Sequence, residues 1–124
     1  MTTATFTEDF VDAADVRVQM RKGGSGEPLL VVHSEMGVPG WTNAFQELAK
    51  DNALSVPSLP GFGQSSRPEW CMTVQDLAGW VTWFIRDQKI QAPLNVIGFS
   101  MGAFALAEIA VRNSQLFKKM ILVG

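Results

Sequence analysis

Short apolar runs that alternate with helical segments are the feature that most constrains the fold of this chain. The run Pro28-Leu29-Leu30-Val31-Val32-His33 is bounded by turn residues and is typical of a strand buried on both faces of a parallel sheet. Further strands are predicted over residues 5–11, 16–21, 53–56, 94–97 and 118–123, and helices over 43–50, 73–88 and 101–113. Two β-stretches are thus followed by β-α-β-α-β-α-β, which predicts an α/β fold with a mostly parallel sheet flanked by helices.

The predicted helix over residues 73–88 has the clearest period in the chain. Thr73 is a good N-cap, and Asp76 three residues later completes the pattern of a capping box. Apolar side chains then recur at the spacing of a core-facing stripe, at Leu77, Trp80, Val81, Phe84 and Ile85. This helix should therefore pack one face against the sheet.

Composition excludes several classes of protein. The 124 residues suit one domain, and a formal net charge of -2 gives no basic surface for nucleic acid. No apolar stretch reaches the ~18 residues of a membrane span, and the amino terminus has no signal-peptide pattern. The single cysteine, Cys71, favours a reducing, cytoplasmic compartment. No His/Cys/Asp cluster has metal-ligand spacing, so we predict neither a metal nor a cofactor.

The sequence Gly98-Phe99-Ser100-Met101-Gly102 carries the chemistry. It matches G-x-S-x-G, and a β-strand runs into it while an alanine-rich helix runs out, as a nucleophile elbow requires. Such a turn holds the serine at positive φ, and a Cβ two residues to either side would clash with the neighbouring helix and strand. The hydroxyl then stands at a helix amino end, where negative charge is favoured. The alternative is a plain tight turn with Ser100 as an ordinary N-cap.

Essentially the whole chain resembles the amino-terminal half of the α/β-hydrolase family. The elbow is the first of three matching motifs. The second is the strand Leu29-Leu30-Val31-Val32-His33 with its following loop, and the third, Val56-Pro57-Ser58-Leu59-Pro60-Gly61-Phe62-Gly63-Gln64-Ser65, is similar to D-x-P-G-x-G-x-S. The resemblance implies a single domain over residues 1–124, the amino-terminal part of an α/β-hydrolase fold truncated after the strand that follows the elbow helix.

The same resemblance implies roles for individual residues. Ser100 would be the nucleophile, and the backbone N–H groups of Met101 and Glu35 would form the oxyanion hole, each contact being worth about 3–4 kcal/mol in the transition state. His33 and Ser34 belong to the loop that supplies this hole, and Ser34 stands where the family usually has glycine. In the third motif Ser58 replaces the usual aspartate.

Two aromatic residues are candidates for a substrate pocket. Trp41 is the tryptophan nearest in sequence to the oxyanion loop, and Phe99 lies inside the elbow. Phe99 is expected either to form part of a pocket wall or to pack beneath it.

The catalytic triad is incomplete in this sequence. The family order is serine, then acid, then histidine, but Ser100 is followed by one acid, Glu108, and by no histidine. Glu108 lies about 12 Å along the helix by axial rise. The only histidine, His33, occupies the family's structural position, and its use as a base would require a nitrogen ~3 Å from the serine hydroxyl. Without a base, Ser100 is a poor nucleophile, so this chain alone should be nearly inactive.

Three functional hypotheses remain open. The first is a serine hydrolase that acts on a small-molecule ester or related acyl bond through a Ser100 acyl-enzyme, with the acid and histidine in an absent carboxy-terminal half. The second is a catalytically inactive half-fold that associates with itself, or with a complementary carboxy-terminal chain, through its last strand. The third is a complete fold with a non-hydrolytic role. The sequence predicts no nucleic-acid or membrane partner and does not identify the substrate.

Overall fold

The computed structural model describes residues 6–124, arranged as one mixed sheet with helices on both faces. The strands are β1 (Phe6–Ala13), β2 (Val16–Gly23), β3 (Glu27–Val32), β4 (Asn52–Pro57), β5 (Leu94–Phe99) and β6 (Phe117–Val123). The helices are α1 (Asn43–Leu48), α2 (Val74–Asp87) and α3 (Met101–Arg112), and a 3₁₀ turn covers Ser114–Leu116. All the strands and helices expected from the sequence are present within one or two residues of their predicted bounds; only Thr5, in the first predicted strand, lies outside the described residues.

The strand order places the elbow strand near one side of the sheet. In the described part of the chain the order is β1-β2-β4-β3-β5-β6. β3 pairs in parallel with β4 and β5, and β5 pairs in parallel with β6. The hairpin of β1 and β2 adds to β4 in antiparallel fashion. The predicted mostly parallel α/β sheet is therefore confirmed, with an antiparallel extension formed by the hairpin.

Each face of the sheet buries its own apolar cluster. Because alternate strand residues point to opposite faces, Leu30 and Val32 of β3 pack on the side of α2 and α3, whereas Leu29 and Val31 pack on the side of α1. Burial on both faces explains why β3 reads as a continuous apolar run rather than an alternating one.

Helix α2 contributes most of the large side chains on its face of the sheet. Its predicted stripe is confirmed, with Leu77, Trp80, Val81, Phe84 and Ile85 all buried, and the capping box between Thr73 and Asp76 is formed. The Trp80 indole stacks on Phe84 and donates a hydrogen bond to the Ala14 carbonyl at 3.1 Å, which ties α2 to the β1–β2 hairpin. None of the helices in residues 6–124 combines the length and apolar character required of a bilayer-spanning segment.

Candidate active site

Ser100 stands on a sharp turn between β5 and α3. Its backbone has φ 51° and ψ -110°, so the expected positive φ is confirmed. Its N–H donates to the Val123 carbonyl of β6 at 2.6 Å, and its carbonyl accepts from the Phe104 N–H of α3 at 3.0 Å. The hydroxyl makes no capping hydrogen bond to the helix. Ser100 therefore occupies the N-cap position of α3, but it does not cap the helix with its side chain as an ordinary N-cap serine does.

The two elbow glycines are required by close backbone contacts. A Cβ on Gly102 would lie 2.2 Å from the Val32 carbonyl oxygen and 2.5 Å from that of His33. A Cβ on Gly98 would lie 2.7 Å from the Cα of Ala103. Both contacts are with main chain, which cannot move aside as a flexible side chain can. The absence of these two side chains lets α3 begin directly against the end of β3 and brings Ser100 next to the loop that follows β3.

That loop is a tight turn over residues 34–37. The Gly37 N–H donates to the Ser34 carbonyl at 2.9 Å, and Gly37 adopts φ 81°, a conformation that glycine accepts readily. The Ser34 hydroxyl accepts a hydrogen bond from the Met36 N–H at 3.1 Å. Ser34 thus shapes the turn, and Glu35 is left exposed at its tip, facing the elbow.

The Glu35 carboxylate lies on the donors of the expected oxyanion hole. The Met101 N–H donates to its Oε1 at 3.4 Å. Hydrogen bonding from the N–H of Glu35 itself, from the Ser100 hydroxyl and from the Met101 N–H holds the pKa of Glu35 below its usual value. The N–H groups of Met101 and Glu35, which were expected to bind an oxyanion, are therefore close together. The negatively charged group that they hold in this structure is the carboxylate of Glu35 itself.

His33 is buried and fully engaged. Its Nδ1 lies 2.6 Å from the Ser34 carbonyl oxygen, and its Nε2 accepts a hydrogen bond from the Leu59 N–H at 2.9 Å. These partners place the ring proton on Nδ1, because a carbonyl can only accept and an N–H can only donate. Burial lowers the pKa of His33, so the ring is neutral at pH 7. With both nitrogens occupied, His33 braces the two loops and is not available as a base for Ser100.

An apolar cavity of about 420 Å³ opens beside this loop, and Phe99, the residue that precedes Ser100, lines its wall. We call it the Phe99 cavity; its lining includes Val31, Pro39, Ala44, Phe45 and Phe99. His33, Ser34, Met36, Gly37 and Thr42 complete the wall. Phe99 thus lines this cavity and also packs on the cluster beneath α1, so both of the positions considered from the sequence are compatible with its contacts.

Trp41 lies elsewhere and is not part of the cavity wall. Its ring stacks on Phe6 with centroids 4.8 Å apart, and its indole N–H donates to Gln46 Oε1 at 3.1 Å. A Cβ on Gly23 would lie 2.7 Å from the Trp41 ring, so the side chain is packed closely over the end of β2. The structure gives Trp41 a packing role in place of the expected pocket role.

Comparison with known proteins identifies the family. A family model described as the alpha/beta hydrolase fold matches residues 27–124. The chain belongs to the α/β-hydrolase family.

Individual relatives of this α/β-hydrolase chain include named enzymes. It is 30% identical over 118 residues to 2-hydroxymuconate semialdehyde hydrolase of Pseudomonas sp. (strain CF600), covering 90% of this chain and 41% of that enzyme. It is 34% identical over 117 residues to the dihydrolipoyllysine-residue acetyltransferase component of an acetoin cleaving system from Cupriavidus necator, covering 93% and 31%. The chain thus spans less than half the length of either relative.

A solved structure supports the same fold. Cfl2 of Burkholderia cenocepacia superimposes with a TM-score of 0.84 at 24% identity, over 94% of this chain and 40% of that one. At this identity the likeness establishes the fold and not the activity.

Other candidate groups of this α/β-hydrolase chain lie away from Ser100. Glu108 borders a groove between α2 and α3 with Gln75 and Arg112. Cys71 is buried, and burial raises the pKa of its thiol, which makes it less reactive. Residues 6–124 contain no group of three or more His, Cys, Asp or Glu side chains placed to hold a metal ion.

Two features of the site were not predicted from the sequence. The first is the position of the Glu35 carboxylate, for which the available signal was an acid at the residue already expected to donate its N–H. The second is the contribution of α1, through Ala44 and Phe45, to the Phe99 cavity. Its signal was the short helical segment directly after the loop.

Proposed function

We propose that Ser100 is the nucleophile of a serine hydrolase that cleaves an ester or related acyl bond. The observation that carries the proposal is that the Ser100 hydroxyl and the Met101 N–H converge on one negatively charged oxygen group. A tetrahedral intermediate places its oxyanion beside the attacking serine oxygen, where the same donors can stabilise it. The strained backbone of Ser100 supports the proposal, since strain of this kind concentrates at functional positions.

The Phe99 cavity is the proposed site for the acyl group. Phe99, the residue before Ser100, forms one wall of this cavity, and the remaining lining includes apolar side chains from β3 and α1. An acyl chain seated there would have its carbonyl near Ser100 and the loop amides. The proposed substrate is therefore an uncharged ester with an apolar acyl group.

Activation of Ser100 requires groups beyond the described site. His33 is occupied by the Ser34 carbonyl and the Leu59 N–H, and Glu108 borders a different groove. We propose that a histidine and an acid are contributed by another segment or by a complementary chain. We also propose that the protein is cytoplasmic, because its single cysteine suits a reducing compartment. The hydrolase-named relatives are longer than this chain, which is compatible with that division.

The experiment that tests this function is labelling and hydrolysis with a matched serine control. The chain is supplied with the proposed histidine and acid, either as part of a longer protein or by adding the complementary chain, and is prepared as wild type, Ser100→Ala and Ser114→Ala. Each form is treated with a fluorophosphonate and weighed as an intact protein, and hydrolysis of p-nitrophenyl butyrate is measured. Ser114 is exposed on the 3₁₀ turn, away from the elbow. We expect one adduct and turnover in wild type and Ser114→Ala, and neither in Ser100→Ala. Equal labelling or turnover in Ser100→Ala would refute the assignment.

A second candidate function, association through β6, rests on the exposure of that strand. β6 lies at an edge of the described sheet, and Ile121, Leu122 and Val123 are 57%, 46% and 42% exposed. An apolar edge strand is a template for pairing with another strand. We propose that a second copy or a complementary chain adds there. Light scattering should show association that Ile121→Lys weakens; a wild-type chain that stays monomeric at high concentration argues against this function.

A further inference from the structure

The Glu35 carboxylate is an anion that belongs to the chain itself, and it is held by the donors that the proposed reaction assigns to the acyl oxygen. Its Oε1 lies 3.4 Å from the Met101 nitrogen, although the two residues are 66 positions apart in the chain. Glu35 is exposed at the tip of a four-residue turn, and no ion pair of Glu35 is found among residues 6–124. The hydrogen bonds to the elbow and to its own N–H are thus the contacts that hold the carboxylate in place.

The chemical identity of this group matters because ester hydrolysis produces a carboxylate. The proposed reaction adds water across the acyl bond and releases an alcohol and an acid, which is ionised at neutral pH. That product carries the same functional group as the Glu35 side chain and would use the same donors. Two ionised carboxylates at one set of donors repel each other, so the ionised product and the ionised Glu35 side chain compete for these donors.

We propose that Glu35 is an internal ligand of the oxyanion hole that competes with the carboxylate product and weakens its binding. This inference rests on the proposed function of Ser100. Because the competitor is part of the chain, its effective concentration stays constant however much product accumulates. An uncharged ester meets no such charge repulsion, and the exposed side chain can swing into solvent to admit it. Glu35 thereby favours neutral substrates over carboxylates at the same donors.

The magnitude of the effect follows from the fraction of molecules in which the donors are free. If the carboxylate leaves them free in about one molecule in ten, the apparent Kd of an external carboxylate is raised about tenfold. Removing the side chain should therefore tighten binding of a small carboxylate about tenfold.

Acetate titration followed by amide NMR tests this inference without requiring turnover. The readout is the Met101 amide shift in wild type, Glu35→Ala and Glu35→Gln, with Glu69→Ala as the control that removes an exposed carboxylate from another loop. We expect acetate to shift the Met101 amide of Glu35→Ala with an apparent Kd about tenfold below that of wild type and Glu69→Ala. Glu35→Gln should also bind acetate more tightly than wild type, because its side chain is uncharged.

Two results would overturn the inference. Equal acetate affinity at Met101 in wild type and Glu35→Ala would show that the carboxylate is not a competitor. Tighter binding in Glu35→Ala but not in Glu35→Gln would show that the side chain acts by filling space and not by its charge.

The inference and the proposed function fail separately. If acetate behaves as expected but Ser100 shows neither labelling nor turnover, the internal ligand stands and the hydrolase assignment fails. If turnover depends on Ser100 but acetate binds equally to all variants, only the inference about Glu35 fails.

Discussion

The imidazole Nε2 of His33 accepts a hydrogen bond from the Leu59 N–H at 2.9 Å, which joins the loop after β3 to the loop after β4. Its Nδ1 faces the Ser34 carbonyl at 2.6 Å. The loop that carries Glu35 is therefore fixed from one side by a neutral ring. Protonation of that ring would convert the acceptor Nε2 into a donor facing another donor.

Acid should weaken the fold through His33. Burial lowers the folded-state pKa of His33 below its ordinary value of 6.5, so below about that pH the unfolded chain takes up a proton that the folded chain resists. The free energy of unfolding should consequently fall as pH drops from 6.5 towards the folded-state pKa. Urea unfolding at a series of pH values measures this slope. His33→Gln has no titrating ring and should reduce the slope; an unchanged slope would assign it to other groups.

Alanine at either elbow glycine should be strongly destabilising. Neither Gly98 nor Gly102 adopts positive φ, so the cost comes from the contacts of the added Cβ with main chain. Overpacking of this kind costs about 1–3 kcal/mol, and Gly102→Ala should lie at the upper end because its contact is the shorter one. Gly79→Ala is the matched control, since a Cβ there has nothing within 4 Å. In helix α2 it should stabilise by up to about 1 kcal/mol. Urea midpoints of the three variants give the comparison, and equal effects at positions 79 and 102 would contradict it.

Replacement of Ser100 by glycine should stabilise the protein while removing the proposed nucleophile. Ser100 adopts φ 51°, which a residue with a Cβ reaches only at a cost of about 1–3 kcal/mol, whereas glycine is nearly free of that cost. Ser100→Gly should therefore unfold at higher urea concentration than Ser100→Ala, which keeps the Cβ. If the two variants have the same midpoint, the elbow stores no backbone strain.

If the Phe99 cavity holds the acyl group as proposed, filling it should shorten the preferred acyl chain of the active protein. Ala44 lines the cavity from α1 and is exposed, so Ala44→Phe is compatible with folding. Each methylene excluded from an apolar pocket costs about 1–3 kcal/mol, which is about tenfold or more in kcat/KM. Turnover of p-nitrophenyl octanoate should fall relative to the acetate ester. Asn43→Phe, at the neighbouring exposed position outside the lining, should leave the ratio unchanged. A similar fall in both variants would locate the acyl group elsewhere.

The sequence was informative where a local pattern decides the structure. The β5–Ser100–α3 turn follows from two glycines at fixed spacing between a strand and a helix, and β3 follows from a run of apolar residues. The structural role of His33 was predicted from a family resemblance, and in the structure two hydrogen bonds hold its ring between the two loops.

The positions of Trp41 and the Glu35 carboxylate could not be read in the same way. Each side chain is placed by contacts with residues distant in sequence, with Phe6 and Gly23 for Trp41 and with Met101 for Glu35. A linear pattern reports which element a residue belongs to, but the direction of an individual side chain depends on how separate elements meet.

The hydrogen bond from the Ser100 N–H to the Val123 carbonyl makes the backbone position of the elbow depend on strand β6. Val123 is the final residue of β6, and β6 borders the sheet in the described part of the chain. Strands at such borders open more often than central ones, and an amide exchanges its hydrogen only when its partner departs. The rate of deuterium uptake at the Ser100 amide would therefore report how often β6 separates from the sheet. The backbone of Ser100 therefore keeps this hydrogen bond only for as long as β6 stays paired with β5.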